Sequence, residues 1–82
     1  MTYDEIQIGE IYFAQCGQPA IVKVVTLVNY GDSGFVGGVR TETLWLKPKV
    51  KISSYMLWDV DRLKRLATPA ERKLFLIKTQ LI

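Results

Sequence analysis

The sequence predicts an α+β domain, a small curled antiparallel sheet followed by one or two C-terminal helices, and three observations carry that prediction. A run rich in β-branched residues, Ala20-Ile21-Val22-Lys23-Val24-Val25-Thr26-Leu27-Val28, reads as a strand. Thr68-Pro69-Ala70-Glu71 is a capping box with proline at the first helical position, so a helix opens there. Elsewhere, short apolar stretches are cut at close intervals by Gly, Pro, Asn and Asp, the punctuation of turns. At 82 residues the chain makes a single domain, with residues 1–52 β-rich and residues 53–82 helical and packed against them.

Each element follows from its own residues. Ile6 and Ile8 alternate with polar neighbours, Gly9 breaks the run, Ile11-Tyr12-Phe13 resume it, and Gly17-Gln18-Pro19 supplies a turn. In the long strand that follows, apolar residues occupy both alternating faces, interrupted by Lys23 and Thr26, so it is expected to be central and covered on both sides. Residues from Asn29 to Gly34, Tyr30 and Asp32 among them, suit a connection to an antiparallel partner that starts at Phe35-Val36. Gly37-Gly38 suggests a bulge or bend in that partner, which resumes from Val39 to Leu46. Pro48 has no N–H to donate and makes Lys47–Ile52 an edge strand or a strand start.

From Ser53 the period changes. Met56, Val60, Leu63 and Ala67 recur at helical spacing, with Ser53 or Ser54 as caps and Arg62, Lys64 and Arg65 on the other faces; Ser54–Trp58 also reads as a turn. Beyond the capping box, Ala70, Leu74, Ile77 and Leu81 form one stripe, and Phe75 and Leu76 lie off it, so this helix is expected to bury two faces.

Gly9-Glu10-Ile11-Tyr12, then Gly17 to Ala20 leading into Ile21-Val22-Lys23-Val24-Val25, resembles the opening of SH3-like small barrels of the KOW and Tudor type, over roughly residues 6–52. The resemblance implies that the curled sheet is an SH3-like barrel that binds nucleic acid or peptides and performs no reaction. The chain departs from KOW in lacking a further loop glycine before the long strand, and no motif marks a Tudor-type aromatic cage. Fold alone does not fix function.

Composition narrows the chemistry. There is no histidine, so general acid–base work would fall to scattered carboxylates, among them Asp32, Glu42, Asp59 and Asp61. On a helix Asp59 and Asp61 would diverge by about 200°, whereas Asp59 as an N-cap explains itself locally. Cys16 is the single cysteine: it has no disulfide partner, no neighbouring base and no second ligand for a metal. The glycines fit neither the P-loop nor the dinucleotide spacing. The expectation is a non-enzyme without cofactor or metal. A lone thiol and an acidic N-terminal stretch without a long apolar run indicate a cytoplasmic protein that neither enters nor crosses a membrane.

The net charge of +3 conceals an asymmetry: residues 1–46 hold two basic and five acidic side chains, residues 47–82 nine and three. A polyanion or an acidic protein surface is therefore expected to meet the C-terminal half. Lys47, Lys49 and Lys51 would project from one face of an extended segment about 6–7 Å apart, near the spacing of backbone phosphates, with Trp45 on the same parity to stack a base. The same lysines equally suit an edge strand protected from aggregation, with Trp45 in the core. Arg62, Lys64, Arg65, Arg72 and Lys73 would extend the basic surface or simply solvate helix faces.

Two functions follow. The first is a non-catalytic nucleic-acid-binding module using the basic strand and the helical end. The second is a protein-binding adaptor or inhibitor, for instance of a nucleic-acid-processing partner and carried by a mobile element. It would dock through Tyr55, Trp58, Phe75 and Leu76, or form a homodimer through Phe75, Leu76 and Leu81. Tyr30 is a further candidate anchor.

Overall fold

A computed structural model describes residues 3–28, 38–47 and 49–80, apart from the side chains of Tyr3, Ser54, Tyr55 and Gln80. Five antiparallel strands, β1 (Ile11–Cys16), β2 (Gln18–Val28), β3 (Gly38–Trp45), β4 (Lys51–Asp59) and β5 (Leu63–Leu66), form one sheet in the order β4-β3-β2-β1-β5. A single helix, α1 (Pro69–Gln80), follows. The α+β class is as expected, and the sheet is not closed: β4 and β5 are its edges.

β2 is central because both of its faces are covered. Val22 and Val24 join Tyr12, Ala14, Ala20, Val39, Trp58, Val60 and Leu63 in one core, while Ile21 packs with Ile11, Leu44 and Phe75 in a second core beneath α1. Trp58 and Leu63 come from opposite edge strands yet share the first core, so the sheet curls around it. Three register shifts assist the curl: β2 gains a residue between Val24 and Thr26, β4 gains one opposite Thr41 and Thr43, and β5 gains one opposite Phe13 and Ala14. Gly9, at φ +89°, lets the preceding chain turn back, so that its N–H donates to Val24 O at 2.8 Å while Val24 N–H donates to Glu10 O at 3.0 Å.

Residues 53–66 depart from the helical expectation. Met56 lies in β4, Val60 in a 3-10 turn (Val60–Arg62) and Leu63 in β5, so the β-rich part runs to Leu66 and one helix, not two, follows it. Helical spacing arose because one short turn separates two strands whose inward residues both feed the first core. Lys47–Ile52 is not one extended strand either: β3 ends at Trp45, β4 begins at Lys51, and these two residues are register partners across the hairpin. At the N-terminus Ile6 is buried but Ile8 sits exposed in a turn, which replaces the expected alternating strand. Gly17 turns the chain as expected, at φ +73°, but Gln18 and Pro19 already belong to β2. Gly37, Tyr30, Asp32 and Leu81 lie outside the described residues.

The capping box closes as the sequence predicts. Glu71 N–H donates to Thr68 Oγ1 at 3.2 Å, and Thr68 N–H donates to Glu71 Oε1 at 2.8 Å. Arg65 on β5 then donates to both carboxylate oxygens of Glu71, at 2.7 and 3.0 Å, while its guanidinium lies 4.5 Å over the Phe13 ring. The helix start is thereby fastened to the sheet. The Arg65 guanidinium, aided by the Thr68 hydrogen bonds, holds the Glu71 carboxyl at about 2 against an ordinary 4.5. A carboxyl depressed in the folded state stabilises the fold above its ordinary value and ceases to do so as pH falls through the depressed one. Glu71→Gln is therefore expected to flatten the fall in urea midpoint between about pH 5 and pH 2, at a neutral-pH cost of about 1 kcal/mol. An acid limb as steep as the wild type's would contradict this role.

Of the expected helical stripe, Leu74 packs against the sheet while Ala70 and Ile77 do not. Phe75 is buried and Leu74 half-buried against the sheet, while Ala70, Leu76 and Ile77 are exposed. The outer surface of β1, β2 and β3 accepts one aromatic ring between Ile11, Ile21 and Leu44, so packing follows Phe75 and not the Ala70–Leu74–Ile77 row.

Candidate nucleic-acid interface

The hairpin joining β3 to β4 creates a basic concavity. Trp45 closes β3, Ala20 flanks it in β2 and Lys51 flanks it in β4. Alternate residues of a strand share a face, so Gln18 falls on the side of Ala20. Lys47 and Lys49 enter from the connection between the strands. The result is a groove of about 360 Å³ lined by Gln18, Trp45, Lys47, Lys49 and Lys51. Ala14 and Ala20 stand in register beside Trp45, and their small side chains leave its ring room over the sheet.

The indole is held from below. Trp45 and Trp58 have ring centroids 5.4 Å apart with their planes tilted by 36°. Trp58 is itself anchored: its Nε1–H donates to Thr43 Oγ1 at 3.0 Å, and Thr43 shares a 2.8 Å hydrogen bond with Thr41 Oγ1. All three polar groups are buried and satisfied. Trp45, half-buried, thus presents a ring supported by a rigid network, which suits stacking because little side-chain freedom remains to be lost.

The structure separates the sequence candidates. Among the described residues Lys47, Lys49 and Lys51 make no ion pair, whereas Arg65 is committed to Glu71, and Arg72 reaches the Glu10 carboxylate. The Ile11 N–H and then the Arg72 guanidinium lower the Glu10 carboxyl below its ordinary range. Lys64 donates to Asp61 O at 3.2 Å. Lys73 lines a separate shallow groove on α1 with Pro69, Arg72, Leu76 and Ile77. The basic helical end is therefore not one surface with the lysine groove. Only Arg62 comes near it, lining a second cavity whose wall is again Trp45.

Two partner-binding candidates are corrected. Trp58, 3% exposed, and Phe75, 1% exposed, are core residues and offer no anchor to a partner. Leu76 is exposed on α1. The Tyr55 side chain lies outside the described residues. Asp59 does occupy an N-cap position, ahead of the 3-10 turn, but its side chain makes no capping hydrogen bond. Gln18 carries no site signal in a sequence that reads Gly17-Gln18-Pro19 as a turn; its parity with Ala20 in β2 is the signal that places it here.

Among the described residues no cluster of three His, Cys, Asp or Glu side chains could hold a metal ion, and no helix is long and apolar enough to cross a membrane. Comparison with protein families, with curated proteins and with solved structures finds no match for this chain.

Proposed function

We propose that the domain is a non-catalytic nucleic-acid-binding module whose phosphate-binding surface is the groove of Lys47, Lys49 and Lys51 and whose stacking platform is Trp45. The observation that carries this reading is the convergence on one supported indole of three lysines that make no ion pair among the described residues. Lysines placed only to protect an edge need no shared groove and no aromatic floor. Ammonium groups neutralise phosphates while the ring stacks a base, and such stacking tolerates any base because all have a π-face. The curled five-stranded sheet supports the resemblance to SH3-like small barrels, and the lone exposed Cys16 suits a reducing cytoplasm. A protein-binding adaptor is the second reading, favoured by the exposed Leu76 and Ile77 beside Lys73 on α1.

Titration of labelled single- and double-stranded DNA and RNA at two salt concentrations tests the proposal. The wild type is expected to bind in a salt-steep manner. Lys47→Ala/Lys49→Ala/Lys51→Ala is expected to reduce the log–log salt slope by about 2, at about 0.7 per lost single-strand phosphate contact. Equal affinity and slope in the variant, or no binding to any of the four ligands, would remove this function and leave the adaptor reading.

A further inference from the structure

The second cavity shares Trp45 with the lysine groove, and its lining has a different chemistry. It measures about 160 Å³ and is bounded by Cys16, Trp45, Met56, Trp58, Asp59 and Arg62 among others. That volume is well below the roughly 300 Å³ at which drug-sized ligand sites begin, and suits a group of about the size of one base. We infer that this cavity is a nucleobase pocket selecting guanine, an inference that rests on the lysine groove being the phosphate site.

The lining is complementary to a planar base with paired donors. Apolar and aromatic walls, Met56 and the half-buried Trp45 indole backed by the buried Trp58, suit a planar ring. At the rim, Asp59 and Arg62 stand three residues apart across the 3-10 turn, and among the described residues neither is engaged in an ion pair or a side-chain hydrogen bond. A carboxylate accepts two parallel hydrogen bonds and a guanidinium donates two. Guanine is the one common base that offers two adjacent donors, N1–H and the N2 amino group, next to the acceptors O6 and N7. Adenine, cytosine and thymine each present one donor group on their pairing edge, so any of them would leave a carboxylate oxygen unmatched. An unpaired base alone exposes that edge, so the ligand is single-stranded. Both concavities are walled by Trp45, so a nucleotide whose base enters this cavity would direct its phosphate toward the lysine groove.

The test uses the full chain and thymidine hexamers in which one central position is guanine, adenine or cytosine. The guanine hexamer is expected to bind about tenfold more tightly than the other two, the lower part of the range for a good bidentate pair. Asp59→Asn is expected to abolish that ratio, because its amide N–H₂ meets the guanine donors. The ratio is insensitive to the general gain in affinity caused by removing a negative charge, and Asp59 makes no capping bond whose loss would disturb the fold. Alkylation of Cys16, an exposed thiol in the pocket wall, gives an independent readout: the guanine hexamer is expected to slow it more than the adenine hexamer at equal occupancy. Equal binding of all three hexamers, or a ratio that survives Asp59→Asn, would overturn the pocket while leaving the groove. Failure of every hexamer to bind would overturn both.

Discussion

Phe75→Ala is expected to cost about 3–5 kcal/mol, the range for truncating a buried aromatic ring. Small domains retain only about 5–15 kcal/mol in total, so the variant should melt far below the wild type and be partly unfolded at physiological temperature. The reason is architectural. α1 meets the sheet mainly through this ring, which fills the space between Ile11, Ile21 and Leu44. Removing it leaves a cavity that β1, β2 and β3, already paired on both sides, are poorly placed to close. One residue further on, Leu76→Asp should leave stability almost unchanged, since that side chain is exposed. Thermal melts of the two variants side by side check this. Similar stabilities would contradict the packing, and a change of oligomeric state in Leu76→Asp would favour the adaptor reading.

Trp58→Ala is expected to produce a loss of the same size, about 3–5 kcal/mol, and to do so whether or not a ligand is present. Two effects combine. The indole is 3% exposed at the centre of the first core, and its Nε1–H satisfies Thr43 in a region without water access. Trp58→Phe keeps most of the packing but removes the donor, and should cost a smaller amount, about 1–3 kcal/mol. Because Trp45 rests on Trp58, the phenylalanine variant should also weaken binding at the lysine groove more than its stability loss alone explains. Urea midpoints for both variants decide the point. A Trp58→Ala protein as stable as wild type would show that the indole is a surface anchor after all.

Much of the fold was legible where local chemistry acts alone. The capping box at Thr68 and Glu71 marked the start of α1 because its hydrogen bonds are made within four residues. β2 was legible because a strand covered on both faces has no polar side, and its residues say so directly. The readings failed where tertiary context decides. Met56, Val60, Leu63 and Ala67 match a helical period because the 3-10 turn after β4 and the extra residue in β5 shift the phase between the two strands, and nothing within that segment records the partner strands. Phe75 was placed off the main stripe because the stripe counts apolar residues, whereas the sheet surface selects for shape.

The candidate site divides the same way. Trp45, Lys47, Lys49 and Lys51 lie close in sequence, and the hairpin that replaces the expected single strand still brings them to one groove. Gln18 joins them through the pairing of β2 with β3, while Cys16, Asp59 and Arg62 reach Trp45 only in the folded sheet, a relation between β1, β4 and the 3-10 turn. The ion pair that withdraws Arg72 from the basic surface is also long-range: Glu10 stands before β1 and Arg72 within α1. Counting charges by halves of the chain cannot reveal such pairing.

The central claim, that nucleic acid binds at the lysine groove, is tested most directly by mapping backbone amide and indole N–H shifts of the full-length protein as a thymidine oligonucleotide is added. Shifts are expected to concentrate at Gln18, Lys47, Lys49, Lys51 and the Trp45 indole and to diminish as salt is raised. Shifts confined to Arg72, Lys73, Leu76 and Ile77 on α1, or none at all, would contradict it.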